Sequence, residues 1–161
     1  MCEYLAGSLR SVRLLSETTR RELQEIARMA GYHVQLDREV PDSIRGEIQR
    51  YASKMTGATL FNITSKKGDH WNCIDETLNT ELDFGAKKSF QEIPFFDFLR
   101  EMFRFAGPEE AVIIFTEGAE VGWFPLERRE STLSDFCSAV YEYRDRTEYD
   151  VHGVFRIVGG A

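Results

Sequence analysis

Hydrophobic and polar positions change period several times along the chain, and each change marks an element. Tyr32, Val34 and Leu36 alternate with His33, Gln35 and Asp37, the period of a strand over residues 32–37. Behind Pro41 and Asp42, Ile44, Ile48, Tyr51, Ala52 and Met55 recur at three- and four-residue steps, which predicts a helix ending by Gly57. Leu60, Phe61 and Ile63 suit either a short strand or an ordered loop over 58–65. An aromatic-rich helix is expected within 90–105, entered at Pro94 and closed by Gly107-Pro108. Val112-Ile113-Ile114-Phe115 is an unbroken apolar run, so residues 111–116 are expected as a strand covered on both faces, as parallel central strands are. A loop over 117–130, a helix from Ser131 or Thr132 to Tyr143 and a last strand over 154–158 complete the order.

The first 31 residues read differently. Gly7 and scattered Ser and Arg interrupt any period between Leu5 and Leu15, whereas Leu23, Ile26, Ala27 and Ala30 form a helical stripe. Ser16 or Thr19 is placed to cap that helix, Thr19 and Glu22 have capping-box spacing, and Gly31 suits its C-terminal stop. The expectation is an α/β domain over 32–161, a small parallel β-sheet of about three strands flanked by helices, with an N-terminal helical arm over 1–31.

Residues 68–78 carry the pattern with most to say about function. Trp71, Ile74 and Leu78 fall at i, i+3 and i+7, one face of a short helix, while Asp69, Asn72, Asp75, Glu76 and Asn79 lie elsewhere around it. An alternative makes Lys66-Lys67-Gly68-Asp69 a hairpin turn between strands 59–64 and 70–74. The helix is preferred because the following apolar residues continue its period.

Composition narrows the classes. A chain of 161 residues with 42% hydrophobic and 29% charged residues fits one folded domain. Its net charge is −7, and 15 basic against 23 acidic residues lie in 32–161, so nucleic acid is repelled and a basic partner favoured. Between Lys67 and Lys87 there is no Lys or Arg, yet Asp69, Asp75, Glu76, Glu81 and Asp83 occur there; Glu109 to Glu127 is a second acid-only stretch. The three widely spaced cysteines, a start without a signal-peptide pattern and the lack of an apolar stretch near 20 residues point to a cytoplasmic protein with no membrane contact.

Chemistry-bearing motifs are sparse. His70 and Cys73 have metal-ligand spacing but no second pair, Cys73 and Cys137 sit among apolar residues as buried thiols do, and no phosphate-binding loop or nucleophile elbow occurs. Neither metal nor cofactor is expected. Glu117, Glu120 and Glu127 are the carboxylates on which an enzyme would draw.

The order strand 32–37, helix 42–56, loop, short helix, strand 111–116, helix 132–143, strand 154–158 resembles the barstar family of ribonuclease inhibitors. Gly68, Trp71, Ile74, Glu76 and Leu78 match the pattern of that family's second helix. Departures are Asn72 for an aspartate, Lys66-Lys67 for an aromatic pair and Glu81 for a tryptophan. The resemblance implies a non-enzymatic inhibitor or bacterial immunity protein that plugs the active site of a toxin enzyme, a nuclease with a basic cleft. The partner-binding residues it implies, together with the acid pattern, are Lys66, Gly68, His70, Asn72, Asp75, Glu76, Asn79 and Glu81. The plain alternative is a solvated acidic face; a small α/β enzyme using loop carboxylates and a structural or regulatory subunit using the helix within 94–105 also remain open.

Overall fold

The computed structural model describes residues 3–11, 14–52, 57–65, 74, 78, 89–117, 126–143 and 152–158. Its strands are β1 (Glu3–Arg10), β2 (Tyr32–Leu36), β3 (Ala58–Ser65), β4 (Glu110–Glu117), β5 (Arg128–Ser131) and β6 (Gly153–Ile157). Its helices are α1 (Glu17–Ala30), α2 (Asp42–Tyr51), α3 (Pro94–Ala106) and α4 (Leu133–Tyr143). The strands form one sheet in the order β2-β3-β1-β4-β6-β5, antiparallel throughout except between β5 and β6.

This corrects the expected three-stranded parallel sheet with a helical arm. Glu3–Arg10 is no appendage: it lies between β3 and β4 and pairs with both. The signal that failed is Gly7. A Cβ at that position would stand 1.8 Å from the Val112 carbonyl oxygen and 3.0 Å from the Phe61 ring, so the close approach of two backbones demands glycine in mid-strand, where its lack of a side chain breaks the alternation. The apolar run of β4 was rightly read as buried on both faces, but burial says nothing about direction. Ala111, Ile113 and Phe115 enter one core, and Val112 and Ile114 the other.

The larger core lies between the sheet and α1, α3 and α4. Leu5, Leu9, Val34, Phe61, Ile113 and Phe155 meet Leu23, Leu99, Met102, Phe136 and Val140 there. Tyr32 on the edge strand β2 stacks on Phe98 of α3 with centroids 5.4 Å apart and meets Phe95 at the same distance; Phe90 stacks on Phe96 at 4.5 Å and meets Tyr141 of α4 edge-on. The smaller core lies on the opposite face, where Ile44, Ile48 and Tyr51 of α2 cover Tyr4, Ala6, Leu60 and Ile114.

Helix ends follow from their local sequence. Ser16, not Thr19, caps α1, its hydroxyl accepting from Thr19 N–H at 3.1 Å, and Gly31 takes φ 91° at the other end. Helix α2 stops at Tyr51, a turn earlier than its stripe suggested. Thr132 accepts from Asp135 N–H at 3.1 Å at the start of α4. Between β2 and α2, Asp37 adopts φ 49°, accepts from Leu60 N–H at 3.0 Å and pairs with Arg20, fixing the corner where α1, β2 and β3 meet.

Candidate functional site

Lys66, Gly68, His70, Asn72, Asp75, Glu76, Asn79 and Glu81 lie outside the described residues, as do Trp71 and Cys73. The two described residues of that stretch are its anchors. Ile74 and Leu78 are both fully buried in the larger core, and Leu78 N–H donates to the Ile74 carbonyl at 3.1 Å, the i to i−4 bond of a helical turn. Ser65 Oγ donates to the same carbonyl at 3.1 Å, which ties the turn to the end of β3. The hairpin alternative falls on residues 66–73, which lie outside the described residues; β3 itself has β1 on one side and β2 on the other.

The second acid-only stretch is less free than its sequence suggests. Glu110 at the start of β4 accepts from Arg10 at 2.7 Å, and Arg156 stands 3.5 Å from its other oxygen. Arg156 also reaches Glu130 at 2.6 Å, so Arg10, Glu110, Arg156 and Glu130 make an alternating chain across one end of the sheet. The Arg10 hydrogen bond, against the opposing effect of burial, holds the Glu110 carboxyl below its ordinary range, with Arg156 assisting. Arg129 does the same for Glu127 at 3.0 Å. Glu120 lies outside the described residues.

That ion chain borders a cleft of about 200 Å³ on the α2 side of the sheet, floored by Val112 and Val154 and walled by Tyr51, Arg128 and Glu130. The Arg128 guanidinium lies over the Tyr51 ring, 5.2 Å from its centroid, while the Tyr51 hydroxyl accepts from Leu126 N–H at 3.0 Å. The sequence named Tyr51 and Val112 only as core positions of their elements, and none of these residues as part of a site. The available signal was the charged run Arg128-Arg129-Glu130, read as loop because no apolar residue marks it as a strand.

Beneath α2, the Tyr4 hydroxyl is buried and has no hydrogen-bond partner among the described residues. Burial first, then the charge of Glu47 and the proximity of Tyr51, push its ionisation well above the usual tyrosine range, so it stays neutral. Cys137 is buried too, and its thiol is pushed up to about 12 by burial, against a smaller opposing effect of Arg100. A thiol so protonated is no nucleophile. Among the described residues no three His, Cys, Asp or Glu side chains stand together as metal ligands, and no helix is long and apolar enough to cross a membrane.

Compared with known proteins, the chain matches no family model, no curated protein and no solved structure.

Proposed function

We propose that the protein is a non-enzymatic binding protein that engages a basic protein partner through the acidic segment 69–79, acting in the cytoplasm as the inhibitor of a toxin enzyme of ribonuclease type. The observation that carries this reading is the seating of Ile74 and Leu78: these two of the three apolar positions of the pattern are in the core, one helical turn apart. Helical spacing in the sequence then sets Asn72, Asp75, Glu76 and Asn79 off the Ile74–Leu78 line, as acids that meet a basic cleft. The reading rests on this segment and not on a barstar-type sheet, which the fold does not have. Carboxyl chemistry supports binding over catalysis. Among the described residues Glu25, Glu110 and Glu127 are each held below the ordinary carboxyl range by an arginine, the opposite of what a general acid needs.

The test is affinity capture from the native host with the wild-type chain, followed by binding measurements on the purified pair. Asp75→Lys with Glu76→Lys should abolish the complex while leaving circular dichroism and melting temperature intact, and added salt should slow association. Unchanged affinity in the double variant overturns the surface.

A further inference from the structure

Among the described residues the exposed large apolar side chains are Leu14, Met29 and Phe105. All three belong to α1, the residues leading into it, or α3. Ser11 Oγ donates to the Ala106 carbonyl at 3.4 Å, so the chain entering α1 meets the end of α3. The two helices therefore run antiparallel, with Leu14 and Phe105 at one end of the pair and Met29 at the other, separated by the ~20 Å length of α1. At the Met29 end a groove of about 450 Å³ opens between the helices, with Ile26, Met29, Pro94 and Phe98 among its lining. Met29 is 79% exposed beside it, although a methionine on a helix that already buries Leu23 and Ala27 has no need to be apolar.

The rim has one sign of charge. Glu92, Asp97 and Glu101 line the groove, and among the described residues no Lys or Arg does. Asp97 and Glu101 are tied to Arg100 and Arg104 along α3, but these are exposed i, i+3 pairs of small energy that exchange readily for an incoming cation. Among the described residues Glu92 has no ion pair.

We infer that the α1–α3 face is a docking surface for an amphipathic helix of a basic partner, its apolar stripe running from Met29 to Phe105 and its Lys or Arg residues facing Glu92, Asp97 and Glu101. Charge decides against a second copy of this chain: a two-fold contact brings each face onto itself and sets these carboxylates against their own images. None of the residues named for this surface belongs to the segment 69–79, and the inference does not depend on the function proposed for that segment.

The probe is a fluorescein-labelled synthetic peptide of about four helical turns with leucines at i, i+3, i+4 and i+7 and lysines elsewhere, set against a twin with glutamate for every lysine. Anisotropy gives affinity, and the labelled methyl resonances of the four methionines, with Met29 assigned by Met29→Leu, give location. The basic peptide should bind and shift the Met29 methyl, Met29→Glu or Phe105→Glu should weaken it at least tenfold without changing the circular dichroism, and the acidic twin should not bind. Asp75→Lys with Glu76→Lys should leave this binding in place. Binding that is lost in that double variant but kept in Met29→Glu overturns the groove while leaving the acidic segment standing. Absence of binding, or a concentration-dependent dimer that Met29→Glu dissociates, also overturns it.

Discussion

Ser65 Oγ donates to the Ile74 carbonyl oxygen across 3.1 Å, and both residues are buried. This one bond links the last residue of a sheet strand to the first anchor of the acidic segment. The anchors bring the segment to the core, and the hydroxyl fixes where along the core it starts. Ser65→Ala removes the donor and leaves a buried carbonyl short of one bond, a loss of about 1–3 kcal/mol. The effect should be local. Amide exchange at Leu78 should quicken more than exchange in β1 or β4, and partner affinity should fall more than global stability. Equal acceleration everywhere would show that the bond supports the whole fold instead.

Gly7 gives the sharpest stability prediction. Its absent side chain is what lets β1 lie against β4, with a Cβ placed 1.8 Å from a backbone oxygen that has no room to retreat between two paired strands. Gly7→Ala should be among the most damaging single-methyl additions in the chain, above the 1–3 kcal/mol of ordinary overpacking, and should leave the protein largely unfolded or insoluble. Gly46→Ala is the control: nothing lies within 4 Å of its missing Cβ and it sits inside α2, so the substitution should stabilise by about 0.5–1 kcal/mol. Urea unfolding of both variants checks the pair.

These two glycines also show what the sequence made legible. Elements whose burial is one-sided and periodic, α1, β2, α3 and α4, could be read because amphipathic spacing and end residues such as Ser16, Gly31, Pro94 and Thr132 are local signals. Strands whose side chains answer to non-local neighbours could not. Strand β1 is broken by a glycine required by Val112, and β5 carries Arg128 and Glu130, whose partners Tyr51 and Arg156 are set by the fold. Strand direction was misread because a fully covered antiparallel strand is as continuously apolar as a parallel one. For the candidate site, the pattern foretold the anchors Ile74 and Leu78; it held nothing about Ser65, whose role depends on where β3 ends.

Cys137 supplies a chemical check on the larger core. With its thiol pushed up to about 12 by burial, iodoacetamide at pH 8 should leave it unmodified in the native protein and alkylate it fully in denaturant. Peptide mass mapping separates it from Cys2 and Cys73. Rapid native alkylation at Cys137 would mean that α4 opens from the sheet on the labelling timescale.

The ion chain through Glu110 predicts a pH dependence with a definite sign. The carboxyl is held low in the folded state, chiefly by the Arg10 hydrogen bond, and returns to its ordinary value near ~4.3 on unfolding. Its stabilisation is therefore complete above that ordinary value and is lost as the pH falls through the lowered folded value. The pair is partly solvated, so the contribution is about 1 kcal/mol at most. Glu110→Gln should lower the melting temperature at pH 7, and the gap to wild type should close as the pH falls from the ordinary carboxyl range through the lowered folded value, below which the wild-type carboxyl is neutral as well. Arg10→Met should show the same closing gap, because the same interaction is removed from its other end. A gap that stays constant with pH would assign the loss to packing at the end of β4 and not to the charge of Glu110.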